Sequence, residues 1–230
     1  MSYKSDVDTA LEELCETFRF LSKTGCHGFD CSKESLHIME SWGHKQARSP
    51  ETLEAIRTDL GECRRCRLWE SRKHIVFGAG DAHARLVFVG EGPGYDEDQK
   101  GKPFIGAAGR LLTKIIEAIK YTRDQVYICN IIKCRPPRNR NPLPDEIKAC
   151  LPFLERQLAA IKPDVICALG TFAAQALLDT TLPISKLKGR FHEYNGIRVL
   201  PTYHPAYLLR NPGKKRDVWE DMQKLMKESE

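Results

Sequence analysis

Short apolar segments rich in β-branched residues alternate along this chain with segments of helical character, and this alternation limits the fold more than any other feature. The predicted strands are Arg85–Gly90, Gln125–Lys133, Asp164–Gly170, Arg190–Tyr194 and Arg198–Thr202. The last two flank Asn195-Gly196, a strong hairpin signal. The predicted helices are Gly106–Ile119, Pro144–Ile161, Thr171–Leu178 and Asp217–Met226. Strands that alternate with helices indicate a mostly parallel sheet covered on both faces. In such folds, ligands bind in the loops beyond the carboxyl ends of the strands.

The first fifty residues follow a different pattern. Apolar positions recur at helical spacing over Val7–Leu21, and a stretch with cysteines and histidines comes next. Ser49-Pro50 then begins a new helical pattern over Thr52–Cys66. We therefore predict an N-terminal helical extension at residues 1–50 and one α/β domain at residues 51–230.

Apolar content argues against a membrane protein. The longest apolar segments are far shorter than the roughly 20 residues that cross a bilayer. The N-terminus lacks the apolar region of a secretory signal. We expect a cytoplasmic protein with no membrane association.

The positive charge of the chain is modest in total but concentrated in two loops. A formal net charge of +5 is by itself weak support for nucleic-acid binding. The two clusters are Lys133, Arg135, Arg138 and Arg140, and Arg210, Lys214, Lys215 and Arg216. Such clusters can contact phosphates, although charge runs taken alone are more often solvated surface.

Nine cysteines are an odd number for a disulfide framework, and a metal or cluster site is the better interpretation. Cys63 and Cys66 lie one helical turn apart, while Cys134 and Cys150 bracket a basic, proline-rich loop. Four thiolates suit either a tetrahedral zinc ion or a 4Fe-4S cluster. The arginines around Cys63 and Cys66 fit a cluster with net negative charge.

The remaining cysteines have weaker interpretations. Cys129 and Cys167 fall inside apolar strands and are expected to be small core residues. A second metal site is an alternative whose spacing matches no familiar signature. Its members would be Cys15, Cys26, His27, Cys31 and His37.

The loop after the first predicted strand is rich in glycine and acid. It comprises Gly90–Asp98 and Gly101–Gly106. The glycines permit a ligand to approach the backbone closely, although an acidic surface loop is the alternative. The loop has neither the Gly-Lys-Ser/Thr of a Walker motif nor the uninterrupted turn of a dinucleotide fingerprint.

Two further loops carry groups that can recognise a base. Asn130 ends a predicted strand, where its amide can pair with a base edge or can simply cap a turn. His204 is followed by proline, which fixes the backbone and presents the imidazole at the edge of the sheet. The apolar segment Tyr207–Leu209 beside Arg210 can wedge into a base stack, or it can pack against the final helix.

Taken in order, these motifs resemble the family 4 uracil-DNA glycosylases. The resemblance rests on Gly-Glu-Gly-Pro-Gly with Glu97-Asp98, Gly-Lys-Pro-Phe-Ile-Gly, Asn130 before Lys-Cys-Arg-Pro-Pro, and His-Pro-Ala-Tyr-Leu-Leu-Arg. It runs from about residue 52 to the end. It implies a three-layer α/β/α sandwich with a central, mostly parallel four-stranded sheet. It also implies a monofunctional enzyme of base excision repair, with a 4Fe-4S cluster on Cys63, Cys66, Cys134 and Cys150.

The resemblance also implies roles in a base pocket. Asn130 reads the edge of uracil, Phe104 stacks on its ring, and His204 donates a hydrogen bond to the developing oxyanion. The backbone around Glu91-Gly92 lines the site of the attacking water, and Glu97 shapes the pocket against the methyl group of thymine. The DNA contacts are expected from Arg135, Arg138, Arg140, Tyr207, Leu208 and Arg210.

One position departs from the better-known Gly-Gln-Asp-Pro-Tyr motif of this superfamily. Gly92 stands in place of the aspartate, so no side-chain base is evident. Backbone carbonyls or Glu91 would orient the water. No histidine lies between Asn130 and Cys150, so a covalent bond to uracil-DNA is not expected.

Two other classes of function compete with the glycosylase. One is a non-catalytic iron–sulfur module that binds DNA within a repair or replication complex. The other is a zinc-stabilised phosphate-ester hydrolase that holds magnesium through Asp96, Glu97 and Asp98. The glycosylase interpretation predicts a monomer that acts on single- or double-stranded uracil-containing DNA, with residues 1–50 free to dock a protein partner.

Overall fold

The computed structural model describes residues 16–25 and 51–229. Contacts within the chain divide it into two units, Met1–Arg48 and Ser49–Glu230. In the first unit, residues 16–23 form a helix. The predicted second metal site (Cys15, Cys26, His27, Cys31 and His37) lies outside the described residues, and the role of residues 1–50 stays a prediction.

The second unit is built on a mixed sheet, with six strands in the described part of the chain. The strands are β1 (Ala79–Gly80), β2 (Leu86–Gly90), β3 (Tyr127–Asn130), β4 (Val165–Leu169), β5 (His192–Tyr194) and β6 (Ile197–Thr202). Their spatial order is β1-β3-β2-β4-β6-β5. The four central strands are parallel to one another, and the two edge strands run antiparallel to their neighbours. The expected four-stranded parallel sheet is therefore the core of this sheet; the edge strand β5 falls within the predicted strand Arg190–Tyr194, whereas β1 was not predicted.

The predicted hairpin is present, whereas one predicted strand is longer than the observed one. The hairpin between β5 and β6 turns at Asn195 and Gly196, which both have positive φ (50° and 82°), as a type I′ turn requires. The strand predicted over Gln125–Lys133 ends at Asn130. Beyond Asn130, Ile131 N donates a hydrogen bond to the O atom of Gly90, the last residue of β2, and Ile132 N donates one to Glu91 O in the loop that follows.

Helices cover both faces of the sheet. They are α1 (Leu53–Leu60), α2 (Tyr95–Lys100), α3 (Ala107–Ala118), α4 (Pro144–Ile161), α5 (Thr171–Leu178), α6 (Ile184–Leu187), α7 (Pro205–Arg210) and α8 (Lys215–Ser229). One core cluster joins α1, α4, α5 and α6 to one face, and a second joins α3, α7 and α8 to the other. Successive residues of a strand enter different clusters, since Val87 belongs to the first and Phe88 to the second. This is a three-layer α/β/α sandwich.

The two cysteines predicted to be core residues are buried, Cys129 in one core cluster and Cys167 in the other. No helix among the described residues is long and apolar enough to span a membrane. The parallel strands β2, β3, β4 and β6 end at the same edge of the sheet, and the three loops singled out above leave the sheet at that edge.

Candidate active site

A cavity of about 500 Å³ lies at the carboxyl ends of the parallel strands. Its walls come from the loops that follow β2, β3 and β6, and from the start of α3. Nine of the predicted site residues line it: Glu91, Gly92, Glu97, Phe104, Asn130, Arg140, His204, Tyr207 and Arg210. The tertiary structure thus brings together side chains that are more than a hundred positions apart in the chain.

Asn130 is the last residue of β3, and it is 1% exposed. Its Oδ1 is a buried acceptor without a hydrogen-bond partner among the described residues. A buried polar atom left without a partner is costly, so this one indicates a ligand that supplies a donor. Glycine at position 90 provides the space that the Asn130 side-chain amide occupies, because a Cβ there would lie 2.5 Å from Oδ1.

Phe104 forms another wall of the cavity in a strained backbone conformation. Its φ is +50°, a region that residues other than glycine rarely adopt. The ring centroid lies 5.6 Å from that of His204. Gly109 allows α3 to approach closely, because a Cβ at Gly109 would lie 2.0 Å from the Phe104 carbonyl carbon. On the other side, Arg123 Nη2 donates a hydrogen bond of 2.9 Å to Pro103 O.

The Glu97 carboxylate ties the two halves of the acidic loop together. Its Oε1 accepts hydrogen bonds from Ile105 N (2.8 Å) and Gly106 N (2.9 Å). Its Oε2 accepts one from Gly94 N (3.1 Å). The carboxylate therefore holds the segment that carries Phe104, and its effect on the shape of the cavity is exerted through this backbone.

His204 caps α7 and lies in the cavity wall. Its Nδ1 accepts a hydrogen bond from Ala206 N at 3.1 Å, so in the neutral ring the proton is on Nε2. Burial, aided by the positive charge of Arg210, lowers the pKa of His204 to about 4. The imidazole is neutral near pH 7, with an N–H available as a donor.

Glu91 and Gly92 follow β2 directly. Burial raises the pKa of Glu91 to about 6. A Cβ at Gly92 would lie 2.7 Å from Cγ1 of Ile132, whose side chain is fully buried. An aspartate at this position would therefore require Ile132 to move.

The neighbouring carboxylates do not assemble into a magnesium site. Asp98 is 2% exposed, and its Oδ1 accepts hydrogen bonds from Lys73 N (2.8 Å) and His74 N (3.2 Å). The Glu97 carboxylate is occupied by backbone N–H groups. Within the described ranges, no three side chains of the metal-binding types lie close enough to hold one ion. The phosphate-ester hydrolase is therefore not supported.

Three of the four predicted cluster cysteines, Cys66, Cys134 and Cys150, belong to a small apolar group with buried Leu68 and Ile132. Cys63 lies beside this group, since Arg72 Nη1 donates to Cys63 O (2.6 Å) and contacts Cys134 Sγ (3.5 Å). Burial is the main cause that raises the pKa of Cys66, and the nearby Cys63 thiol adds to it. Burial also raises the pKa of Cys134 to about 12. Thiolates at these positions require a bound cation.

Four cysteine thiolates suit either a 4Fe-4S cluster or a single zinc ion. Two arginines lie close to the predicted ligands. Arg65 Nη1 lies 3.6 Å from Cys63 Sγ, and Arg72 Nη1 lies 3.5 Å from Cys134 Sγ. These N–H donors suit electron-rich sulfur ligands.

Lys133 was grouped with basic residues that either contact phosphates or form solvated surface, and the structure supports neither alternative for this residue. Lys133 is fully buried. Its Nζ donates hydrogen bonds to Asn130 O (2.7 Å) and Gln157 Oε1 (2.6 Å), and its backbone N donates one to Cys150 Sγ (3.2 Å). Through these hydrogen bonds, Lys133 links the Asn130 backbone and Gln157 to the cysteine group.

Leu208 was predicted to contact DNA, and its burial contradicts this. It is 1% exposed and packs in the core cluster that contains α8. The short helix α7 turns its apolar face toward the core, so the next residue, Leu209, is the exposed one at 47%. The packing alternative therefore holds for Leu208, and the wedge stays a prediction for the part of the segment that is not buried.

The predicted DNA-contacting arginines differ in availability. Arg138 and Arg210 are exposed, and Arg135 is partly exposed. Arg140 lines the cavity but forms a two-pronged ion pair with buried Glu146, through contacts of 2.8 and 2.6 Å. Both terminal nitrogens of Arg140 thus donate to Glu146. Its main role is therefore to hold the loop in place, and it is less available to a phosphate than the exposed arginines.

Several residues of this site were missed from the sequence. Arg123 and Gly109 support the Phe104 backbone from segments that carry no motif. Tyr95 lines the cavity mouth within a motif that was noted only for its glycines and acids. For Tyr95 the available signal was its place within the glycine-rich motif; Arg123 and Gly109 offered none, because their roles depend on contacts between distant segments.

Comparison with known proteins agrees with this geometry. The family model described as Uracil DNA glycosylase superfamily matches residues 77–223. The chain is 43% identical over 185 residues to the Type-4 uracil-DNA glycosylase of Archaeoglobus fulgidus, which covers 76% of this chain and 92% of that protein. It is 44% identical over 178 residues to the protein of the same description from Thermotoga maritima, with 76% and 93% covered. The protein of that description from Saccharolobus solfataricus is 42% identical over 184 residues, with 76% and 85% covered. This chain belongs to the type-4 uracil-DNA glycosylases of the uracil DNA glycosylase superfamily.

Proposed function

We propose that this protein hydrolyses the N-glycosidic bond of uracil in DNA and leaves an abasic site for base excision repair. The observation that carries the proposal is the buried Asn130 Oδ1, an acceptor with no partner in the described chain, in one cavity with Phe104 and His204. Membership of the family supports the same reaction.

Asn130 selects uracil by its hydrogen-bonding edge. Oδ1 accepts from N3–H of uracil, and the amide nitrogen donates to O4. Cytosine presents an acceptor at N3 and a donor at N4. The same orientation of the Asn130 amide would then place acceptor against acceptor and donor against donor. Phe104 stacks on the ring, and the loop held by Glu97 limits the space for the methyl group of thymine.

His204 stabilises the leaving group. As the bond between C1′ and N1 breaks, its electron pair passes to the base, and negative charge develops at N1 and O2. The Nε2–H of neutral His204 donates to O2, and this interaction strengthens as charge accumulates. The pKa of about 4 keeps a full positive charge out of the cavity at neutral pH.

Water attacks C1′ from the side lined by Glu91 and Gly92. With its pKa raised to about 6, Glu91 is largely ionised near pH 7 and accepts a hydrogen bond, and then a proton, from the water. The close contact at Gly92 leaves room for backbone and not for a carboxylate side chain.

DNA must present the base outside the duplex stack. We assign contacts with the DNA backbone to Arg135, Arg138 and Arg210, and the wedge to Leu209 with Tyr207. A 4Fe-4S cluster on Cys63, Cys66, Cys134 and Cys150 supplies a rigid cross-link between the segment after α1 and the loop after β3. The cytoplasmic location, the monomeric state and a protein partner for residues 1–50 stay predictions.

The test uses a labelled oligonucleotide with one uracil, in EDTA, followed by alkali to break abasic sites. We expect cleavage at uracil and none at thymine. His204→Ala should lose most excision and still bind the oligonucleotide, while His83→Ala, on an exposed loop, serves as the matched control. An iron-loaded protein that binds DNA without excising uracil would instead favour the non-catalytic iron–sulfur module.

A further inference from the structure

Tyr95 is an exposed aromatic residue at the mouth of the cavity for which the reaction above has no use. It is the first residue of α2, it is 57% exposed, and it lines the same cavity as Asn130 and His204. An aromatic ring that is this exposed to solvent can gain stacking and apolar contacts when a ligand covers it.

Arg135 is held against this ring. Its guanidinium carbon lies 5.1 Å from the Tyr95 ring centroid. Its Nε donates a hydrogen bond of 2.6 Å to Asn139 Oδ1, and Asn139 also lines the cavity. The side chain is therefore restrained by a second contact, and the pair presents an aromatic surface with a positive charge beside it.

Strand order places this pair on one side of the base pocket. Tyr95 and Arg135 come from the loops after β2 and β3, whereas Tyr207 and Arg210 follow β6. In the sheet, β4 separates β2 from β6. A DNA strand that places one base in the pocket thus meets a cationic and aromatic rim on both sides of it.

We propose that Tyr95 and Arg135 form a stacking site for the nucleobase next to the extruded uracil in the same strand. The inference rests on the proposed function and extends it to a second base. Every base has a π face, so the site accepts all four without reading sequence. The Arg135 charge favours the adjacent phosphate and strengthens the stack through its contact with the ring.

The experiment pairs protein variants with altered substrates. Three single-stranded oligonucleotides are used, each with one uracil. The first has normal bases on both sides of the uracil; the second and third have a tetrahydrofuran abasic analogue immediately 5′ or immediately 3′ of it. KM and kcat for excision, and the Kd for each oligonucleotide, are measured for the wild type, Tyr95→Ser, Tyr95→Phe and Trp219→Ser. Trp219 is an exposed aromatic residue on α8 that does not line this cavity, and it serves as the control.

On the intact strand, we expect Tyr95→Ser to raise KM and Kd about tenfold with little change in kcat, and Tyr95→Phe and Trp219→Ser to stay close to the wild type. The effect should vanish on one of the two abasic substrates, because the base that stacks is missing from it. Arg135→Gln should weaken binding, and its effect should not add to that of Tyr95→Ser.

An equal loss on all three substrates, or no loss at all, overturns the stacking site. A wild-type protein that binds but does not excise overturns the proposed function alone, since the Kd comparison still decides the stacking site. Because Tyr95 is mostly exposed, its variants should unfold at the wild-type temperature, which separates a binding defect from a folding defect.

Discussion

The depressed pKa of His204 predicts a pH-dependent loss of stability that a single substitution removes. The folded protein keeps this imidazole neutral down to a pKa of about 4, while the unfolded chain takes up a proton at its ordinary value of about 6.5. Between these values the unfolded state binds more protons, so the free energy of unfolding falls as pH falls. The contribution is fully present above about pH 6.5 and is lost toward pH 4.

The size of this effect follows from the two pKa values. The linkage relation gives the wild type a loss of about 2 kcal/mol from this group between pH 7.5 and pH 5. His204→Asn should lack that loss, so the difference in unfolding free energy between variant and wild type should change by about 2 kcal/mol over this range. Urea denaturation at both pH values measures it.

Glu91 provides an internal control of opposite sign. Its folded pKa of about 6 lies above its ordinary value of 4.5, so its contribution is present below 4.5 and is lost as pH rises through 6. For Glu91→Gln, the difference in unfolding free energy between variant and wild type should therefore change by about 1 kcal/mol between pH 7.5 and pH 5, in the direction opposite to that for His204→Asn. If the His204→Asn difference stays constant with pH, the argument from burial is refuted.

Three further predictions concern residues whose burial was unexpected or whose role depends on the cluster. Lys133→Met leaves two buried neutral acceptors unpaired, each at a cost of about 1–3 kcal/mol, and should lower the free energy of unfolding by about 2–5 kcal/mol in urea denaturation; a change below about 1 kcal/mol would contradict the network. Leu208→Ala should destabilise by about 2–5 kcal/mol, whereas Leu209→Ala should change stability by less than about 0.5 kcal/mol and slow excision from duplexes more than from single strands. Cys134→Ser should lower the iron content per chain and the unfolding temperature together, and full iron retention would exclude Cys134 as a ligand.

Much of the fold was predictable because the information is local. Apolar runs that end in glycine at Arg85–Gly90 and Asp164–Gly170 locate β2 and β4, and Asn195-Gly196 locates the hairpin, since these residues favour the turn whatever surrounds them. The edge strand β1 was missed because two exposed residues, Ala79 and Gly80, carry no periodicity. Its pairing with β3 is decided by the partner strand.

The motifs also located the pocket, since parallel strands that end at one edge must gather their loops there. Sequence could not tell which side chains within each motif face solvent. Lys133 and Arg135 are close neighbours in a basic loop, yet the first is buried against Gln157, 24 positions away, and the second is partly exposed beside Tyr95. Leu208 and Leu209 differ in the same way.

Local sequence information located the parallel strands, the longer helices, the loops that carry chemistry and the cysteines available to a cluster, because periodicity, turn residues and motif spacing act over short stretches of chain. The unpaired oxygen of Asn130, the proton position on His204 and the burial of Lys133 became evident from the folded structure. Each of these depends on which atoms from distant segments are close enough to exclude water or to form a hydrogen bond.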